Sequence, residues 1–194
     1  MKIQITGDSL AARYEGHAIP ILNDLLADYY PNSELINTAI SGQNSQDLLE
    51  RKEIIQQAGG DFLFLFVGSN DLARHKQIDL KTFRANLSSL IDGVRDAVGE
   101  IILVSPPPVD EVKQAFRDNP LILTYVRVME EVAGEKSCLF LNLFQLFSEN
   151  AVPLVDLMTG LADDGLHFGE KGYQLLVREM SALINSRKSK ENLV

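Results

Sequence analysis

Phe62-Leu63-Phe64-Leu65-Phe66-Val67-Gly68-Ser69-Asn70-Asp71 is apolar without interruption through Val67 and then turns abruptly polar. An apolar run of this length without alternation is the pattern of a strand covered on both faces, as at the centre of a parallel sheet. Gly68 ends it and delivers Ser69, Asn70 and Asp71 to the strand's carboxyl end, where open parallel sheets keep their binding crevice.

The flanking sequence alternates strand and helix patterns. In Lys2-Ile3-Gln4-Ile5-Thr6, apolar Ile3 and Ile5 alternate with polar neighbours, and this first strand enters the turn Gly7-Asp8-Ser9-Leu10. Helical spacing runs from Gly16 to Tyr30, with Pro20 in its first turn and Pro31 as the stop. Glu34 to Ala39 reads as a short strand, followed by the loop Ile40-Ser41-Gly42-Gln43-Asn44 and by a helix from Gln46 to Ala58 that Ser45 can cap. Beyond the central strand come a helix from Leu80 to Val98, a strand from Ile101 to Val104 and the stiff loop Ser105-Pro106-Pro107-Pro108. A helical pattern from Glu111 to Glu135 is interrupted at Asn119-Pro120, giving a short helix and a longer one. Leu139 to Leu143 is a fifth strand, Asp163-Asp164-Gly165-Leu166-His167 a loop, and Gly169 to Asn185 a final amphipathic helix.

Strands alternating with helices imply an α/β fold with a five-stranded parallel sheet and helices on both faces. Right-handed crossovers favour the flavodoxin-like strand order 2-1-3-4-5. Residues 1–185 are expected to form one domain, and 186–194 a polar tail that frays.

The chain has 194 residues, 45% of them hydrophobic and 23% charged, which is ordinary for a globular protein with a buried core. Its formal charge of −9 argues against nucleic acid or an anionic membrane surface as partner, since counterion release needs clustered Lys and Arg. Cys138 is the only cysteine, so neither an intramolecular disulfide nor a Cys-rich metal site is available, and its apolar surroundings suggest a core thiol. Met1-Lys2 leads directly into a strand without a signal-peptide pattern, and the longest apolar run is strand-sized. The expectation is a cytoplasmic protein without membrane insertion.

With strand order 2-1-3-4-5, the ends of the first three strands are neighbours, so Ser9, Gly42 and Asn70 can converge. The last loop can bring Asp164 and His167 over the same edge. Acyl transfer requires this combination. A serine hydroxyl is a poor nucleophile at neutral pH, so an imidazole must take its proton and a carboxylate must orient the imidazole. Donors must already face the tetrahedral oxyanion, and a glycine loop offers an N–H and asparagine an amide.

Gly7-Asp8-Ser9-Leu10, Gly42 in Ser41-Gly42-Gln43-Asn44, Gly68-Ser69-Asn70-Asp71 and Asp164-Gly165-Leu166-His167 stand in the order of the four sequence blocks of the SGNH (GDSL-type) hydrolases. The chain resembles that family from Gly7 to His167 and into Gly169-Glu170-Lys171-Gly172-Tyr173. The resemblance implies a three-layer α/β/α fold and a serine esterase or acylhydrolase, with Ser9 as nucleophile, His167 as general base and Asp164 orienting the imidazole. It further implies an oxyanion hole of the Ser9 and Gly42 N–H groups and the Asn70 side chain, and no cofactor or metal. Ser105-Pro106-Pro107-Pro108-Val109-Asp110-Glu111 is similar to the isoamyl acetate-hydrolysing esterase subgroup. The expected substrate is a small-molecule ester of short to medium acyl chain, its apolar wall drawn from Leu10, Leu72, Pro107, Val109 and Phe168.

Other readings compete. Asp163 rivals Asp164, and Asp8 and Asp71 suit turn-stabilising roles. Asp8, Asp71, Asp163, Asp164 and His167 could instead ligate a divalent metal in a phosphoester hydrolase, or the fold could serve a non-catalytic binding module. Arg13, Arg74 and Lys76 can flank the crevice or simply be solvated. His17 and His75 suit the surface, with His75 near enough to the Asn70 loop to touch substrate.

Overall fold

In the computed structural model, which describes residues 1–191, five strands pair in parallel in the order β2-β1-β3-β4-β5. They are β1 (Lys2–Gly7), β2 (Glu34–Asn37), β3 (Gly60–Phe66), β4 (Val98–Val104) and β5 (Leu139–Leu141). Both the fold class and the strand order agree with the sequence reading.

The apolar run of β3 serves two cores at once. Phe62, Phe64 and Phe66 join Ile3, Ile5, Ile102 and Val104 on one face of the sheet, under α2 (Ile21–Tyr29), α7 (Leu143–Ser148), α8 (Leu154–Met158) and α9 (Glu170–Glu191). Leu63 and Leu65 join Ile101 and Leu103 on the other face, under α3 (Ser45–Glu50), α4 (Lys52–Ala58), α5 (Leu80–Val94) and α6 (Asn119–Glu135). Strand alternation thus sends phenylalanines one way and leucines the other. The polar residues of β1 are buried too: Thr6 accepts from Thr38 Oγ1 at 2.9 Å, whereas the amide of Gln4 has no partner among the described residues.

Several boundaries differ from the expected ones. The turn after β1 becomes a helix at once, α1 (Ser9–Ala12), because the Asp8 side chain caps it. Helix α2 begins only at Ile21, with Pro20 as its N-cap residue. The helix expected over 46–58 breaks at Arg51, whose guanidinium turns inward to the Thr38 carbonyl and Gln43 Oε1 (2.6 Å). Residues 111–118 form no regular helix; α6 starts at the Asn119-Pro120 pair itself, since proline in the first turn lacks only an N–H that would be unpaired there. α8 has no counterpart in the sequence reading, and the apolar run after β5 folds as α7. The tail expected to fray from Ser186 instead continues α9 to Glu191, with Arg187 paired to Glu100 (3.5 Å); Asn192 to Val194 lie outside the described residues. Cys138 is half-buried rather than a core thiol, and Arg95 donates to its Sγ at 3.1 Å. Among the described residues no helix is long and apolar enough to cross a membrane.

Gly7, the last residue of β1, pairs with Phe66 so closely that a Cβ there would stand 2.1 Å from the Phe66 carbonyl oxygen, and its φ is +134°. Gly7→Ala is therefore expected to destabilise the fold by about 3 kcal/mol, read as an earlier urea midpoint. Wild-type stability would show that the strand ends separate at little cost.

Candidate active site

Ser9 is the first residue of α1, so its side chain stands directly above the end of β1. Asp8 holds this turn from beneath: one carboxylate oxygen accepts the Leu10 N–H (2.9 Å), and the side chain is fully buried. Burial pushes its carboxyl up to about 7, against the pull of the Leu10 N–H, with repulsion from Asp71 adding to the rise. The Tyr173 hydroxyl donates to the Leu10 carbonyl (2.9 Å) and ties α1 to α9.

His167 comes from the loop before α9. Its Nε2 lies 2.7 Å from Ser9 Oγ, and its Nδ1 2.6 Å from Asp164 Oδ2. The other Asp164 oxygen accepts the N–H groups of Leu166 (3.0 Å) and His167 (2.9 Å), so the carboxylate folds back over its own loop. Burial opposes its charge, but these backbone bonds and the His167 ring prevail and hold Asp164 down to about 2. An ionised carboxylate only accepts, so Nδ1 carries the proton and Nε2 is left to accept one from Ser9. Burial also pushes the His167 imidazole below its ordinary 6.5, and the positive charges of Arg13 and Arg117 outline the same trend against the attraction of Asp164. Asp163 points elsewhere, to Lys113 on the exposed side.

The turns that follow β1, β2 and β3 hold groups able to receive negative charge. Among the described residues, the N–H groups of Ser9 and Gly42 donate to no protein acceptor. Asn70 is buried, and its Nδ2 donates one hydrogen to the Gln43 carbonyl (2.8 Å), joining the loops that follow β2 and β3. Asp71 accepts the Ser45 N–H (2.9 Å) across the same junction, and burial raises its carboxyl above the usual range. Ser9, Gly42, Asn70, Asp164 and His167 therefore come to one edge of the sheet.

The expected apolar wall fares differently. Leu10 and Phe168 lie in one core and Leu72 in the other, all nearly or fully excluded from solvent, so they pack the elements under the crevice and present no surface to a ligand. Pro107 is buried as well, and buried Val109 lines a cavity of about 360 Å³ with Leu154, Met158 and Gly165. That cavity borders the His167 loop at Gly165, while Ser9, Asn70 and His167 are not among its walls. Asp8, Asp71 and Asp163 are each engaged separately, and no group of three or more His, Cys, Asp or Glu side chains among the described residues is disposed to hold a metal.

Of the flanking cations, Arg13 pairs with Glu15, whose other oxygen accepts the Leu161 N–H (2.8 Å); Arg74 pairs with Asp118; and Lys76 Nζ donates to the Gly42 carbonyl (3.1 Å). His17 pairs with Asp24 (2.6 Å), and His75 packs against Phe116 with ring centroids 4.5 Å apart. The sequence reading missed Gln114 and Arg117. Gln114 donates to the Asp164 carbonyl, and Arg117 donates to the Ser69 carbonyl (2.7 Å) and Asn70 Oδ1 (3.4 Å). No motif marks them, because both lie in an irregular segment remote in sequence from the residues they hold.

The sequence matches the GDSL-like lipase/acylhydrolase family over residues 5–175. A lipase/acylhydrolase from Enterococcus faecalis is 28% identical, with a TM-score of 0.84 over 96% of each chain. A variant of an acetyl xylan esterase from Geobacillus stearothermophilus is 25% identical, with a TM-score of 0.69 over 91% of each chain. An N-acylneuraminate cytidylyltransferase from Escherichia coli is 30% identical over 179 residues, 86% of this chain; the chain spans only 40% of that relative's length.

The hydrogen-bond pattern predicts the imidazole titration. In wild type, NMR should find the His167 midpoint below 6.5, with the neutral ring persisting into mild acid. Asp164→Asn removes the charge that favours imidazolium and should lower the midpoint further. Asp163→Asn should leave it in place; a larger effect there than at Asp164 would reverse the assignment.

Proposed function

The chain belongs to the GDSL-like lipase/acylhydrolase family, and we propose that it is a carboxylic ester hydrolase that acts as a serine esterase through Ser9, His167 and Asp164. The observation that carries this reading is the continuous hydrogen-bonded line from Ser9 Oγ through the His167 ring to Asp164, at 2.7 and 2.6 Å.

Ser9 Oγ attacks the ester carbonyl carbon as His167 Nε2 takes its proton. The imidazolium so formed is stabilised by Asp164, which stays ionised far into acid. The carbonyl oxygen becomes an oxyanion and accepts the N–H groups of Ser9 and Gly42 and the unspent N–H of Asn70 Nδ2. Collapse breaks the bond to the leaving oxygen, which receives the Nε2 proton and departs as the alcohol. Water, deprotonated by the same nitrogen, then attacks the acyl-serine; a second collapse frees the acid and returns the proton to Ser9.

The substrate in this reading is a small-molecule ester of short to medium acyl chain. The Geobacillus relative's name, acetyl xylan esterase, supports placing acetylated carbohydrate first among candidates. The proposal extends to a cytoplasmic setting. The narrower likeness of Ser105 to Glu111 to isoamyl acetate-hydrolysing esterases is kept within it as a substrate to be tried. The cytidylyltransferase likeness covers a part of that protein and brings no nucleotidyl transfer into the reading.

Hydrolysis of p-nitrophenyl esters of increasing chain length tests it. Ser9→Ala and His167→Ala should each retain about 10⁻³ or less of wild-type turnover. Asn70→Ala should lose on the order of 10²–10³-fold in kcat with a smaller change in KM. EDTA should leave wild-type activity intact. Folded Ser9→Ala protein with undiminished activity, or activity that EDTA abolishes, would overturn the serine mechanism.

A further inference from the structure

Arg117 stands out among the cations of the crevice. It is half-buried in the irregular segment before α6, yet it forms no ion pair among the described residues. All its hydrogen bonds go to uncharged oxygens: Nε to the Ser69 carbonyl (2.7 Å), Nη1 to Gln114 Oε1 (3.2 Å) and Nη2 to Asn70 Oδ1 (3.4 Å). Burial pulls its guanidinium below the ordinary range, against the attraction of Asp8 and Asp164, neither of which reaches it in an ion pair. Its planar fork is thus committed to Ser69, Gln114 and Asn70, and the bond to Asn70 carries its charge toward the crevice.

The bonds of Asn70 show how the charge would act. A carboxamide has two N–H donors and one acceptor oxygen. One Nδ2 hydrogen goes to the Gln43 carbonyl at 2.8 Å, the oxygen accepts from Arg117, and the second hydrogen is unspent. Were the amide turned over, its oxygen would face the Gln43 carbonyl and its NH₂ would face the guanidinium, setting acceptor against acceptor and donor against donor. A cationic donor on Oδ1 also draws electron density through the amide and strengthens donation from Nδ2. Gln114 joins this network to the other half of the site, since its oxygen accepts from Arg117 and its nitrogen donates to the Asp164 carbonyl.

We propose that Arg117 is a positioning residue of the oxyanion hole, fixing and polarising the Asn70 carboxamide so that its free N–H stabilises the tetrahedral oxyanion. This role rests on the hydrolytic reading above. The contact to Oδ1 is loose at rest. It gains most when the oxyanion pulls on Nδ2, so the benefit falls on the transition state rather than on bound substrate.

A double-mutant cycle on p-nitrophenyl acetate tests the proposal with wild type, Asn70→Ala, Arg117→Gln and the double variant, each checked for folding by thermal unfolding. Arg117→Gln should lower kcat about 10- to 100-fold with KM changed less than about threefold, because the lost interaction belongs to the transition state. In the Asn70→Ala background, assayed well above the His167 midpoint so that the effect of the Arg117 charge on the imidazole does not enter, the same substitution should change kcat by less than about threefold, since the group it acts through is gone. Arg117→Lys, which keeps the charge but not the fork, should fall between wild type and Arg117→Gln. If Arg117→Gln does not fold, Arg117→Lys carries the cycle with the same criterion of non-additivity. Equal losses in both backgrounds, an unchanged kcat, or a raised KM at constant kcat would overturn the proposal, the last by making Arg117 a substrate-binding residue. Activity retained in Ser9→Ala would instead bring down the hydrolytic reading on which the proposal stands.

Discussion

β1 and β3 end side by side because Gly7 has no side chain, and the crevice is built on that contact. The pairing of Gly7 with Phe66 brings the two chains within a distance that a Cβ would fill. Ser9 follows two residues after one strand and Asn70 four residues after the other, so both start from a rigid base. β2 is drawn into the same edge by the Ile40 N–H, which donates to the Gly7 carbonyl (2.9 Å) just before the chain reaches Gly42. Side chains on strand ends and tight turns inherit the precision of the sheet, which is what a preorganised oxyanion site requires. The Asp164–His167 loop has no such base and must be held by other means.

The carboxylates around Ser9 show how local bonding decides charge. Asp8 is fully buried with one backbone N–H on its carboxylate, and desolvation prevails, taking it to about 7. Asp164 is less buried and accepts two backbone N–H groups and an imidazole, and hydrogen bonding prevails, taking it to about 2. Two like groups at one edge are thus separated into a turn-holder that titrates near neutrality and a carboxylate that stays ionised into acid. Linkage follows from the signs. Asp8, raised in the folded state, lends stability that is lost as pH rises through about 7; Asp164, lowered, lends stability that is lost as pH falls through about 2. The His167 imidazole is shifted toward its neutral form mainly by its own burial, against the attraction of Asp164.

What could be read from the sequence was whatever has a period or a local motif. The β3 run, the alternation of strands with helices and the four polar blocks each declare themselves over a few residues, and with the crossover rule they suffice to bring Ser9, Asn70 and His167 together. Contacts made by single side chains across long stretches have no such signature. Arg51 breaks a helix by reaching back to Thr38 and Gln43, and Arg117 reaches Ser69 and Asn70, 47 or 48 residues away. Asn119-Pro120 is ambiguous in one dimension, since proline can end a helix or begin one; the Asp118 side chain, accepting the Leu121 N–H at 2.8 Å, selects the second. Leu10, Leu72 and Phe168 sit beside catalytic motifs, but residue type does not distinguish an apolar side chain turned into the core from one turned to substrate.

The His167 loop gets its precision from the segment between β4 and α6. Residues 109–118 contain no regular element, yet Asn119 clasps the segment's start, accepting the Val109 N–H (2.8 Å) and donating to the Val109 carbonyl (3.0 Å). From this closed loop the Asp110 N–H donates to the Gly165 carbonyl (2.9 Å), Gln114 donates to the Asp164 carbonyl, and Arg117 grips the β3 turn at Ser69. Gly165 lies so near that a Cβ would stand 2.9 Å from the Asp110 carbonyl oxygen and from Lys113 Cβ. One irregular segment therefore bears on the Asp164–His167 loop with one set of bonds and on the Asn70 turn with another. It links the His167 loop to the Asn70 turn, beside the direct contact of His167 Nε2 with Ser9 Oγ at 2.7 Å. The Asn119 clasp and the backbone bond from Asp110 restrict the segment before the long Gln114 and Arg117 side chains are ordered, which lowers the conformational cost of holding them in place.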